Sequence, residues 1–198
     1  LGFRRVSDAL GSTHWYLRLL RDESAAAERL AQVLASSRYA TDLLLNAPET
    51  VAMLAQEDEF DPRSLAQLRI EADAAVARHD DPQAAVAAVR ALRRRELFRI
   101  AVAQLLRRGG AGSSGSALSD VAQATVDGAL QVAIAATEAT NGSAIRFAVI
   151  GMGRFGGHEL GFGSDVDVMF VYDPLPGADE TAANSAAFAV RSEEHTSE

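Results

Sequence analysis

Between Gly151 and Gly163 the chain sets six glycines among thirteen residues. Glycine weakens helix and strand alike because its backbone has the most freedom to lose. No regular element of ordinary length can therefore run through this stretch. On either side lie apolar, β-branched runs, Ile145 to Ile150 and Val166 to Tyr172. The second alternates Val166, Val168 and Phe170 against Asp165, Asp167 and Met169. That period of two is the mark of a strand with one face turned inward. The spacing predicts a strand, a glycine loop and a second strand, closed by a turn at Asp173-Pro174.

The chain ahead of this segment reads differently. Residues 1–108 form a helical region. Leu30, Val33 and Leu34 recur at helical spacing within Ser24 to Ser37. Asp61-Pro62 and Asp81-Pro82 are expected to start two helices, with Asp as cap and Pro at the first helical position. The second of these runs to about Arg108 with Leu97, Ile100, Ala101 and Leu105 as an apolar stripe. The glycine- and serine-rich residues 109–118 read as a linker, and residues 119–190 as a second region. There Ser119 is expected to cap a helix ending at Asn141-Gly142, and Thr181 to Val190 to form another. The fold class is α+β, all helix first and a mixed region second.

Composition excludes several classes. The net charge of −8 argues against a nucleic-acid binder, which normally carries a basic surplus. With no cysteine there are neither disulfides nor thiolate metal sites. No apolar run approaches the roughly 20 residues needed to cross a membrane, and no signal-peptide pattern opens the chain. Cytoplasm is the expected compartment. The chain opens on Leu1, as the interior of a longer protein would. Residues 191–198 resemble the translation of a sequencing adapter and are expected to be an artefact.

The chemistry is concentrated in the strand–loop–strand. Carboxylates at i and i+2 of a strand share a face, so Asp165 and Asp167 present two hard oxygen ligands side by side. Mg²⁺ favours such a pair, filling its other positions with water and substrate phosphate. A second metal sharing the carboxylates would stabilise a leaving pyrophosphate. The glycines Gly153, Gly156 and Gly163 let backbone N–H groups approach phosphate oxygens closely. Arg154 suits a phosphate contact, and Ser164 either holds a phosphate oxygen or caps the turn. Glu159 is expected to orient the loop through backbone N–H groups, and His158 to be an exposed loop residue. An isolated Asp-x-Asp is usually a solvated edge. Here the pair follows Gly163-Ser164 directly and begins a strand whose partner leads into the same loop.

Gly151-Met-Gly-Arg-Phe-Gly156 also fits the Gly-x-Gly-x-x-Gly of dinucleotide-binding folds. That reading requires a long helix directly after the glycines, to face a pyrophosphate. The sequence from Gly157 to Ser164 is too short and too glycine-rich to supply it. The arginines at 93, 94, 95, 99, 107 and 108 form a basic strip, read mainly as a solvated or salt-bridged helix face.

Residues Phe147 to Asp173 together resemble the signature of the glutamine synthetase adenylyltransferase family, within the DNA polymerase β-like nucleotidyltransferase superfamily. Gly11-Ser-Thr13, Leu34 to Leu44 continuing through Pro48, and Arg93 to Ala101 resemble helical segments of the same family. The resemblance implies that residues 119–190 are the beginning of a polymerase β-like domain. It implies transfer of AMP from ATP to a tyrosine of glutamine synthetase, or its removal by phosphorolysis, with Mg²⁺ on Asp165 and Asp167. It further implies ATP, glutamine synthetase and a PII-type regulatory protein as partners. The wording of the loop, with helices ahead of it, resembles the C-terminal, adenylylating copy of the domain. Two departures stand out: Gly153-Arg154 replaces the superfamily's Gly-Ser, and the third carboxylate of the superfamily has no counterpart strand before residue 191. The segment is thus expected to hold an incomplete metal site. The competing reading is a helical regulatory module whose nucleotidyltransferase lobe is degenerate.

Overall fold

The computed structural model describes residues 2–11, 13–106, 114–142 and 144–195. Four helices lead: α1 (Gly2–Leu10), α2 (His14–Asp22), α3 (Ser24–Ser36) and α4 (Arg38–Asn46). Two 3₁₀ segments follow at Pro48–Ala55 and Asp58–Phe60, then α5 (Leu65–Val76), α6 (Pro82–Leu106) and α7 (Ser114–Asn141). The mixed part contains β1 (Ile145–Gly151), the single-turn α8 (Gly153–Gly156), β2 (Val168–Pro174) and α9 (Glu180–His195). The α+β class with helices first is as the sequence predicts. The chain divides into two compact units, Leu1–Arg63 with Arg93–Leu118, and Ser64–Leu92 with Ser119–Glu198.

In the first unit, Leu30, Val33, Leu44, Val51, Leu54 and Phe60 are buried, the aliphatic stripe of α3 among them. Ser37 ends α3 and caps α4, its Oγ accepting from Ala40 N–H at 3.1 Å. Arg29 ties α3 to the first 3₁₀ segment by donating to the carbonyls of Leu54 and Ala55 at 2.8 and 3.1 Å. The C-terminal part of α6 carries a buried ion pair that the basic strip hid. Glu96 and Arg99 are 1% and 3% exposed, joined at 2.9 Å. Arg95 donates to the other Glu96 oxygen at 3.0 Å, and Arg99 also reaches Glu59. Arg107 and Arg108 lie outside the described residues.

Three local expectations are corrected. Asp81 does cap α6, Oδ2 accepting from Ala84 N–H at 3.0 Å. However, Asp61-Pro62 does not start α5. Ser64 does, through a capping box in which Gln67 N–H donates to Ser64 Oγ and Ser64 N–H to Gln67 Oε1. Two reciprocal bonds satisfy two orphan donors, more than the Asp-Pro pair offers. Residues 109–113 of the expected linker lie outside the described residues, but Ser114–Ser116 already belong to α7. Burial of Ala117, Leu118, Val121 and Ala122 outweighs the weak helix propensity of the serines and glycine. Ser119 is therefore a buried residue inside α7 and not its cap.

In the second unit, α7 comes close to its neighbours at Gly128, where a Cβ would stand 3.1 Å from Val89 and 3.6 Å from Ala72. Gly142, at φ +73°, ends α7, its N–H returning to Glu138 O at 2.9 Å. β1 and β2 then pair antiparallel, with Val149 opposite Phe170 and Gly151 opposite Val168. Phe147 and Phe170 lie on the inner face with ring centroids 5.9 Å apart. Ile134 and Thr137 of α7, Phe147, and Ala186 and Val190 of α9 surround a cavity of about 20 Å³ behind that face. The opposite face leaves Ile150, Met169 and Val171 exposed.

Candidate nucleotide-binding loop and carboxylate pair

β2 begins two residues later than the sequence suggests, at Val168, so Asp165 and Asp167 lie in the extended approach to the strand. Their alternation survives this shift. Asp165, Asp167, Met169 and Val171 are exposed, while Ser164, Val166, Val168 and Phe170 are half-buried. Both carboxylates therefore share the uncovered face of the sheet. Pairing also extends one step beyond the strands, since Met152 N–H donates to Asp167 O at 2.8 Å. That bond holds the Asp167 backbone against the start of the glycine loop.

The loop itself is tightly wound. Gly153 takes φ +51°, and a Cβ there would stand 2.9 Å from Oδ2 of Asp167. A Cβ on Gly156 would stand 2.5 Å from Gly151 O. Both glycines are thus demanded by close approach within the loop, and Gly153 by its left-handed backbone as well. Gly163 has open space around it. Arg154 is exposed on α8. Ser164 closes the Gly161–Ser164 turn, donating its N–H to Gly161 O at 3.1 Å and accepting Gly161 N–H on Oγ at 2.9 Å. The turn-capping alternative for Ser164 is thus the one its hydrogen bonds describe.

The end of α8 forms a Schellman motif. His158 N–H donates to Phe155 O at 3.0 Å and Glu159 N–H to Arg154 O at 2.8 Å. Glu159 contributes through its backbone here. His158 sits at φ +61°, the only described non-glycine residue with positive φ.

Antiparallel strands and a single-turn helix do not make the parallel strand–helix–strand crossover that dinucleotide binding needs. What the arrangement offers is two same-face carboxylates beside a backbone cradle lacking a Cβ. That donor set fits Mg²⁺, which takes one or two protein carboxylates and leaves its other positions to water and phosphate. Among the described residues no group of three His, Cys, Asp or Glu side chains is placed to hold a metal.

The family model described as glutamate–ammonia ligase adenylyltransferase matches residues 27–195. This chain belongs to that family.

Three relatives within the glutamate–ammonia ligase adenylyltransferase family are about half identical to it over the aligned residues. A protein from Streptomyces coelicolor is 50% identical over 208 residues, 98% of this chain and 21% of the relative. One from Nocardia farcinica is 51% identical over 191 residues, 92% of this chain and 19% of the relative. One from Leifsonia xyli is 49% identical over 190 residues, 96% and 19%. Each is named a bifunctional glutamine synthetase adenylyltransferase/adenylyl-removing enzyme. The chain spans about a fifth of the length of these relatives.

Two residues beside this family's loop escape a reading by sequence. The Oγ of Ser119, a fully buried residue, accepts Leu160 N–H at 3.3 Å. Asp120 Oδ1 lies 3.2 Å from His158 Nε2. The signal available in advance was a Ser-Asp pair that reads equally well as a helix cap. Among the described residues no helix is long and apolar enough to cross a membrane.

Proposed function

We propose that this segment supplies the nucleotide loop and two metal-binding carboxylates of an enzyme transferring AMP from ATP to a tyrosine of glutamine synthetase. The alternative for a domain of this form is removal of that AMP by phosphorolysis, in which inorganic phosphate attacks the AMP phosphorus, the tyrosine oxygen leaves and ADP is released. The supporting observation is the placement of Asp165 and Asp167 on one exposed face, with Oδ2 of Asp167 over the left-handed Gly153. The names of its relatives supply the substrate class.

In this reading Asp165 and Asp167 hold Mg²⁺, which neutralises phosphate charge when bound. Backbone N–H groups of the loop at Gly153, Gly156 and Gly163 approach the phosphate oxygens, Arg154 adds a cationic contact, and Ser164 keeps the turn ahead of the aspartates closed. Positioning and charge neutralisation carry phosphoryl and nucleotidyl transfer, and rigid anchoring of both carboxylates serves that. A third carboxylate would complete the site from outside the described residues. The partners are ATP, glutamine synthetase and a PII-type regulator, in the cytoplasm, and the loop's form favours the C-terminal, adenylylating copy.

Titrating the full-length protein with ATP, with and without Mg²⁺, and in parallel with NAD, tests this. ATP binding that depends on Mg²⁺ and no NAD binding are expected. Affinity for ATP unchanged by removing Mg²⁺ would count for the degenerate regulatory lobe, and NAD binding for a dinucleotide fold.

A further inference from the structure

The Schellman position that His158 occupies is one the backbone ordinarily gives to glycine, because a Cβ disfavours the left-handed region. The surrounding sequence offers glycine freely, yet a bulky side chain stands here at φ +61°. A residue held in that region persists where its surroundings over-determine it. The surroundings are visible. Its ring reaches Asp120 on α7 at 3.2 Å, and two residues later Leu160, 5% exposed, donates its N–H to the buried Ser119 Oγ at 3.3 Å. Adjacent residues of one helix thus grip two nearby points of the loop, one through a side chain and one through the backbone.

We propose that His158, with Asp120 and Ser119, is a positioning residue that docks the glycine loop on α7 and so fixes the cradle in which Gly153 meets Asp167. The inference rests on the reading of that cradle as the Mg–ATP site. The atoms nearest a Cβ on Gly153 all belong to Asp167, not to His158 or Asp120. The contribution of His158 and Asp120 is to keep the loop in its binding form before the nucleotide arrives, so that less ordering remains to be done on binding. A loop docked only about a tenth of the time binds its ligand about tenfold more weakly.

The test uses the full-length protein and two readouts: amide hydrogen exchange at residues 151–163 without nucleotide, and the Kd for ATP with Mg²⁺. Asp120→Ala should speed exchange at Glu159 and Leu160 and raise the Kd about tenfold, whereas Asp120→Asn, which keeps an acceptor oxygen, should stay near wild type. His158→Gly separates positioning from mere stability. It relieves the backbone, so the thermal midpoint should hold or rise, while the Kd rises as in Asp120→Ala. The double variant should be no weaker than either single one. If His158→Gly binds ATP as wild type does, or if exchange quickens with no change in Kd, the positioning role is overturned. If the wild type fails to bind ATP with Mg²⁺ at all, the reading of the cradle fails, and faster exchange in Asp120→Ala would then support docking alone.

Discussion

Oδ2 of Asp167 lies 2.9 Å from the point where a Cβ would stand on Gly153, whose backbone is left-handed at φ +51°. The glycine and the carboxylate therefore define one another. A methyl group at 153 is disfavoured by the backbone and would push aside one of the two oxygens beside the loop. Gly153→Ala in the full-length protein should lower AMP transfer by about 10²-fold, the scale of a 1 Å misplacement at a reacting centre. Circular dichroism should be unchanged. Turnover within about twofold of wild type would show that the cradle tolerates displacement of Asp167.

The capping box at Ser64 gives a second prediction. Ser64→Ala removes the side-chain bond to Gln67 N–H and should destabilise the protein by about 1 kcal/mol, read by urea denaturation. Asp61→Ala, three residues earlier and outside the helix, should leave amide hydrogen exchange in the first turn of α5 unchanged, whereas Ser64→Ala should quicken it. Equal effects of the two would return the cap to Asp61.

Glu96 and Arg99 give a third. Arg99→Leu leaves the Glu96 carboxylate buried with Arg95 as its near partner, and should cost about 3 kcal/mol or more. Replacing both, as Glu96→Leu with Arg99→Leu, should recover much of that loss, because no unpaired charge then stays buried. A double variant as unstable as the sum of the singles would show that the two side chains act independently.

The sequence made the architecture and the cradle legible for a physical reason: glycine crowding and strand alternation are local signals. The two strands, the glycine stretch between them and the shared face of Asp165 and Asp167 follow from them; the antiparallel pairing across residues 152–167 does not. Signals that depend on burial were misread. Ser119 has the residue type of a cap, and only the burial of Ala117 and Leu118 shows that the helix begins earlier. Arg99 is salt-bridged, as one reading of the basic strip has it, but its burial beside Glu96 and Glu59, the latter forty residues away in the chain, is not legible in the strip. His158 seemed unpartnered because Asp120 is brought to it by tertiary structure. The Arg99–Glu59 and His158–Asp120 contacts join residues far apart in sequence, which no periodicity encodes.

The central claim is that Asp165 and Asp167 are the metal-binding carboxylates of an AMP-transferring site. Measuring AMP incorporation into glutamine synthetase by the full-length protein carrying Asp165→Asn or Asp167→Asn tests it most directly. Asparagine keeps the shape and removes the charge. Either variant should remain folded and lose at least about 10²-fold in turnover, the scale of removing one charge-stabilising group. Wild-type turnover in either variant would contradict the assignment.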